Sequence, residues 1–272
     1  MDYKKDLELL KQAALEVSPI IMNYYQSDDL DVERKAHAGF SPVTAADKEA
    51  DAFLQSFLME RRPDYGWLSE EIEDDISRLE RDCVFVVDPI DGTKPFIKGE
   101  PEFTISLAIV ENGVPVVGVV YNPAKKDMYA SAKGLGVFLN DQTVHVNKSQ
   151  KTLVEMECLV SHSELRSGLW QRMEGKFKMN PVGSMAYKLA KIAAGESDFC
   201  VTLRPKSEWD CAAGHVMCDE MGFVVTDIWG NEIAYNQKEP DGGIDRMIIA
   251  PPHVFGDIKR LVLGEDSDSP LA

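Results

Sequence analysis

Between residues 5 and 25 the apolar positions Leu9, Leu10, Ala13, Val17, Ile20, Ile21 and Tyr24 fall near one face of a 3.6-residue repeat, which predicts an amphipathic helix. The polar segment 26–40 reads as a loop. Ser41-Pro42-Val43-Thr44 then opens a second helix, whose apolar side chains are Phe53, Leu54, Phe57 and Leu58. Leu68-Ser69-Glu70-Glu71 is a short extended piece entering an acidic loop. The unbroken apolar run Val84-Phe85-Val86-Val87 predicts a buried strand.

Strands follow in quick succession after that run. Those at 104–110 and 114–121 flank Glu111-Asn112-Gly113, a hairpin signal. Segments 128–132, 137–139 and 143–146 extend the series, with Gly134, Gly136 and Asn140-Asp141 as turns, and predict an antiparallel meander. Beyond about residue 150 the pattern changes to a strand at 153–160, a helix at 163–174 and a helix capped by Ser184 with Gly195 as its C′ residue. A strand at 199–203, a helix at 210–221 ending at Gly222, strands at 223–226 and 247–250, and a last helix from about Val254 complete the chain. Alternating strands and helices imply a partly parallel sheet. The fold class is α/β, with an N-terminal α+β part at 1–150 and a C-terminal α/β part at 151–272.

Composition narrows the function. The 272 residues include 46 acidic and 29 basic ones, a formal net charge of −17. That argues against nucleic acid polymers and anionic membranes as partners. A small anionic substrate stays compatible, because a metal-filled cleft is locally positive. No apolar run reaches transmembrane length, and Met1-Asp2-Tyr3-Lys4-Lys5-Asp6 lacks the apolar core of a signal peptide. The five cysteines (Cys83, Cys158, Cys200, Cys211 and Cys218) have no C-x-x-C spacing and read as free thiols of a cytoplasmic protein. The acidic tail at 265–270 reads as a solvated end.

Chemistry concentrates in Asp88-Pro89-Ile90-Asp91-Gly92-Thr93, directly after the buried strand. Two carboxylates three positions apart, in a turn made by Pro89 and Gly92, repel unless a cation lies between them. Hard oxygen donors suit Mg²⁺, and the amides of Gly92 and Thr93 with the Thr93 hydroxyl suit a phosphate. A strand followed by an Asp-rich turn that caps a helix explains the same residues. Glu70 and Glu71 fit a solvated acidic loop equally well, Asp210 fits a helix N-cap, and Thr44-Ala45-Ala46-Asp47 fits a capping box.

The combination of Ser41-Pro42-Val43-Thr44-Ala45-Ala46-Asp47, Leu68-Ser69-Glu70-Glu71, Asp88–Thr93 and Trp209-Asp210-Cys211-Ala212-Ala213-Gly214 resembles the inositol monophosphatase superfamily of Mg²⁺-dependent, Li⁺-sensitive phosphatases. Lys94 after Gly92-Thr93, Phe96-Ile97-Lys98, Glu102-Phe103-Thr104 and Gly214-His215 make the bacterial 3′(2′),5′-bisphosphate nucleotidase branch the nearest likeness. Pro95 and Leu203-Arg204-Pro205-Lys206-Ser207-Glu208 depart from both that branch and the inositol monophosphatases. The resemblance implies an αβαβα sandwich with an antiparallel N-terminal sheet, a smaller mixed C-terminal sheet and a site between the halves. It assigns Glu70, Asp88, Asp91, Asp210 and the Ile90 carbonyl to two or three Mg²⁺ ions. Asp47, Thr93 and Glu70 would handle the attacking water, and Gly92 and Thr93 would hold phosphate. Lys94, Lys98, Gly183, Ser184, Arg204 and Lys206 are its candidate substrate contacts. The lysines and Arg204 also fit plain surface charge. The lead substrate is adenosine 3′,5′-bisphosphate, with inositol, histidinol or sugar phosphates as alternatives in the same superfamily. A homodimer is part of the likeness and no sequence feature establishes it.

Two readings come from other classes. A covalent aspartyl phosphatase uses two aspartates separated by one residue, whereas two residues separate Asp88 from Asp91. A non-catalytic protein binding a phosphorylated metabolite would tolerate loss of ligands, yet every carboxylate is present.

Overall fold

A computed structural model of the chain describes residues 2–27, 33–34, 42–145 and 151–265. Ser41, most of the 26–40 loop, Val146 and the tail beyond Glu265 lie outside them. Helix α1 (Tyr3–Tyr24) precedes the paired short strands β1 (Glu33–Arg34) and β2 (Pro42–Val43) and helix α2 (Ala45–Arg61). Then come β3 (Gly66–Ser69), β4 (Cys83–Asp91), α3 (Thr93–Ile97), β5 (Thr104–Glu111), β6 (Val114–Asn122), β7 (Asp127–Ala132), β8 (Gly136–Leu139) and β9 (Gln142–Thr143). The second half runs β10 (Glu157–Val160), α4 (His162–Arg166), β11 (Lys178–Pro181), α5 (Met185–Ala193), β12 (Phe199–Thr202), α6 (Glu208–Glu220), β13 (Val224–Asp227), β14 (Met247–Ala250) and α7 (Pro252–Leu263).

Seven strands form one sheet in the order β3-β4-β5-β6-β7-β8-β9, and five form another in the order β11-β10-β12-β14-β13. The first sheet is antiparallel, as expected, except at one edge, where β3 runs parallel to β4. In the second sheet β10 is parallel to β11 and β12, and β14 is antiparallel to β12 and β13.

Strand alternation builds the layers. Phe85 and Val87 of β4 join Leu10, Val17 and Leu54 of α1 and α2. Val84 and Val86 face the other way, into a core with Tyr187, Leu189, Ala213 and Met217 of α5 and α6 and with Cys200 and Ile249 of the second sheet. The outer face of that sheet, with Phe199, Val201 and Ile248, packs on Ile258 and Leu261 of α7. The order is helices, sheet, helices, sheet, helices, and the central core takes residues from both halves. Helix α6 sits so close to β6 that a Cβ on Gly118 would lie 2.3 Å from the Ala213 carbonyl oxygen.

Three local expectations change. The strand expected at 153–160 begins as a 3₁₀ turn, Leu153–Glu155, and pairs only from Glu157. The helix expected at 163–174 stops at Arg166, because Gly168 adopts the left-handed φ of 75° that ends a helix, and a 3₁₀ turn follows at Gln171–Met173. Ser207, not Asp210, is the N-cap of α6, and Asp210 is its third helical residue.

Candidate active site

The acidic residues meet because of strand register. Ser69 of β3 lies opposite Val87 of β4 in the parallel pair, so the next residues, Glu70 just past β3 and Asp88 still within β4, stand side by side. The Ser207 N–H donates to Asp210 Oδ2 at 3.3 Å across the first turn of α6. Carboxylate oxygens of Glu70, Asp88 and Asp210 lie within 4.8 Å of one another.

Asp91 joins them through a bulge. Residues three apart on a regular strand face opposite sides. Asp88 opposes Ser106 and Asp91 opposes Thr104, so β4 holds one more residue than β5 over this stretch. That extra residue returns Asp91 to the side of Asp88, and both line the same cleft of about 470 Å³. Asp88 Oδ1 accepts the Ile90 N–H at 2.9 Å, and the Thr93 hydroxyl donates to the Ile90 carbonyl at 3.3 Å. Gly92 turns the chain into α3 with φ 101°, and a Cβ there would lie 2.7 Å from the Glu102 carbonyl oxygen. Pro95 sits in the first turn of α3, where a missing N–H costs no helical bond.

Burial pushes the Asp88 carboxyl well above the usual carboxylate range, and the charges of Glu70, Asp91 and Asp210 push it further. Burial also raises Asp91, opposed by hydrogen bonds from the Ser184 hydroxyl and the Ala186 N–H and by the Lys188 charge. Asp210 is pushed up to about 8 by burial and by Asp91, with Lys206 pulling the other way. Several hard oxygen donors whose negative charges destabilise one another suit a divalent cation such as Mg²⁺.

Glu70, Asp88, Asp91 and Asp210 line the cleft, as do Gly92, Thr93, Lys94, Lys98, Gly183, Ser184 and Lys206. Lys94 and Lys98 are exposed on its rim, Lys98 lying 3.9 Å from Glu100. Asp47 is buried outside the lining, its Oδ2 accepting from the Thr44 N–H at 2.7 Å and the Thr44 hydroxyl at 2.6 Å. Arg204 is exposed and is not among the residues that line the cleft. The Gly183 N–H donates to Glu102 Oε2 at 2.7 Å, and the same oxygen lies 3.1 Å from His162 Nε2.

Sequence reasoning missed Lys188, His162 and Arg166, which also line the cleft. Lys188 is only 3% exposed although it is a lysine. The available signal was its place in α5 between Tyr187 and Leu189, in a run that is otherwise apolar from Met185 to Ala190. His215, read as structural, lies 2.9 Å from the Tyr235 hydroxyl inside the core.

Carboxylates gathered at strand ends, beside a cleft that carries lysines and an arginine, define a metal-dependent phosphatase. The chain belongs to the inositol monophosphatase family, whose profile matches residues 2–251. It is 33% identical over 241 residues to the 3′(2′),5′-bisphosphate nucleotidase CysQ of Escherichia coli K12, covering 86% of this chain and 95% of that protein. It is 35% identical over 204 residues to the fructose-1,6-bisphosphatase/inositol-1-monophosphatase of Thermotoga maritima, covering 74% and 77%. The crystal structure of extragenic suppressor protein suhB from Bartonella henselae superposes with a TM-score of 0.80 at 27% identity, covering 95% of this chain and 98% of that one. Family members are metal-dependent hydrolases of phosphate monoesters, generally using Mg²⁺. Among the described residues no helix is long and apolar enough to cross a membrane.

Proposed function

We propose that the chain is a Mg²⁺-dependent, Li⁺-sensitive 3′(2′),5′-bisphosphate nucleotidase acting on adenosine 3′,5′-bisphosphate. The observation that carries this reading is Lys188, a buried cation that shares the cleft with the carboxylate cluster. A monophosphate has one group to place, and the cations with Gly92 and Thr93 would hold it. Lys188, with Arg166 and Lys206, leaves positive charge for a second phosphate, in a chain whose net charge is −17.

Glu70, Asp88, Asp91, Asp210 and the Ile90 carbonyl would hold two or three Mg²⁺ ions. Bound there, these ions would supply Lewis-acid stabilisation of phosphate oxygens and a more acidic water. The Gly92 and Thr93 amides, at the start of α3, would orient the reacting phosphate. Thr93 would align the attacking water and Glu70 would take its proton, while Asp47, which lies outside the cleft lining, would act only through another group. Water attacks phosphorus in line, the ester P–O bond breaks, and no phosphoenzyme forms. The protein is expected to act in the cytoplasm.

Phosphate release from adenosine 3′,5′-bisphosphate, fructose 1,6-bisphosphate and inositol 1-phosphate, each with Mg²⁺ and with or without Li⁺, tests the reading. Preference for the nucleotide supports it. Preference for fructose 1,6-bisphosphate keeps Lys188 as a phosphate contact and replaces the nucleoside. Preference for inositol 1-phosphate overturns it.

A further inference from the structure

Arg78 and Glu208 are charged residues that the proposed chemistry does not use, yet each is only 1% exposed. Arg78 lies in the 3₁₀ turn Ile76–Glu80, which closes the acidic loop begun by Glu70. Its Nε donates to Asp74 Oδ1 at 2.6 Å, and its Nη2 donates to Asp74 Oδ2 at 2.9 Å and to the Gln237 carbonyl at 2.8 Å. Its Nη1 donates to Asn236 Oδ1 at 2.5 Å. Glu208 is the first residue of α6, one turn ahead of Cys211 and two residues before Asp210. Its carboxylate accepts the Asn236 N–H at 2.6 Å and the Gln237 N–H at 2.7 Å. Asn236 and Gln237 therefore present acceptors to Arg78 and donors to Glu208.

The near end of the loop is tied down as well. The Glu70 N–H donates to the Val87 carbonyl at 3.2 Å, and the Ser69 hydroxyl donates to Asp51 of α2. Glu70 thus leaves a fixed strand, in a loop whose far end is locked by a buried guanidinium to the first turn of the helix that carries Asp210.

We propose that the Arg78–Asn236–Gln237–Glu208 bridge is a positioning device for the cation site. It holds the Glu70 loop against the start of α6, so that the Glu70 and Asp210 carboxylates stay within 4.8 Å although they repel each other. The inference rests on the divalent-cation reading of the cluster. No bond is made or broken at the bridge. It keeps the donors at ligating distance before the cation arrives, so its removal weakens cation binding, as loss of hydrogen-bonded support does at other metal sites.

Calorimetric titration with Mg²⁺ tests this on the wild-type chain and on Arg78→Lys, Glu208→Gln and Asn236→Gly. Asp210→Asn serves as the control for the cation reading. Glu208→Gln keeps the side-chain shape, and Asn236 sits at φ 58°, which glycine adopts without strain, so both remain informative if Arg78→Lys does not fold. The expected result is Mg²⁺ affinity weaker by about tenfold in each folded variant. The Mg²⁺ concentration for half-maximal activity should rise in parallel, while kcat at saturating Mg²⁺ stays near wild type. Folded variants that bind Mg²⁺ as tightly as wild type overturn the proposal, whatever their melting temperatures. If wild type shows no Mg²⁺ binding that Asp210→Asn abolishes, the cation reading itself fails and takes the proposal with it.

Discussion

The Ser184 hydroxyl donates to Asp91 Oδ2 at 2.7 Å, across 93 positions of the chain. It also accepts from the Tyr187 N–H at 2.9 Å and lies 3.0 Å from the Thr104 hydroxyl. A hydroxyl has one hydrogen and two lone pairs, so these three contacts fill it. Ser184, expected to touch substrate, lines the cleft and also ties the start of α5 to the carboxylate at the end of β4, from a strained φ of 59°. The Ala186 N–H reaches the same Asp91 oxygen at 2.6 Å.

Ser184→Ala removes one of these two supports. A hydrogen bond to a charged group contributes about 1.5–3 kcal/mol. With Asp91 as a ligand, Mg²⁺ affinity is expected to fall by about tenfold or more. Titration calorimetry reads this directly, and wild-type affinity in the variant would show that Asp91 does not depend on Ser184.

Asp210→Asn is expected to separate stability from activity. It removes a buried charge that its neighbours oppose, so the metal-free protein should melt higher than wild type at pH values above about 8. Each kcal/mol relieved is about 2–4 °C in a chain of this size. The same variant should lose most phosphatase activity and its melting temperature should no longer respond to Mg²⁺. A lower melting temperature with retained Mg²⁺ response contradicts the assignment.

The raised carboxyls of Asp88, Asp91 and Asp210 also set a pH dependence. In the unfolded chain these groups titrate near 4, about the usual aspartate value. Above that pH, and up to about 8 for Asp210, the folded state binds more protons than the unfolded one. Stability of the metal-free protein therefore falls as pH rises through this window. Mg²⁺ binding should release protons there, and its apparent affinity should climb with pH. Calorimetry in two buffers of different ionisation enthalpy measures the proton count, and a count of zero at pH 6 would remove the basis for this expectation.

Lys188→Met keeps the length of the side chain and removes its charge. Turnover of adenosine 3′,5′-bisphosphate is expected to lose about tenfold or more in kcat/KM, the range for one charged hydrogen bond. A simple monophosphate should lose less. Equal losses on both substrates would place Lys188 on the reacting phosphate instead of the second one.

Legibility in the sequence followed the range of the interactions. Thr44 and Asp47 form the capping box that their spacing announces, and Ser184 and Gly195 bound α5 as expected. These features are settled within one or two helical turns. The edge strand β11, Lys178–Pro181, escaped notice because Lys178, Asn180 and Pro181 carry no strand signature. Gly168 was readable as a breaker, but the apolar residues beyond it imitated helical spacing. Within the site, the carboxylates stood out as motifs. The burial of Lys188 and the Arg78–Glu208 bridge depend on packing between elements distant in the chain, which no local pattern reports.

The parallel pairing of β3 with β4 acts as a ruler. Neighbouring strands in any sheet are about 4.7–4.9 Å apart. Two acids, one a residue past the end of β3 and the other at the neighbouring in-register position of β4, inherit that separation from backbone hydrogen bonds, without help from side-chain packing. Other cleft residues can then drift toward new phosphate esters while the gap between Glu70 and Asp88 stays as constant as the sheet itself, so one scaffold can change its substrate without rebuilding its ion site.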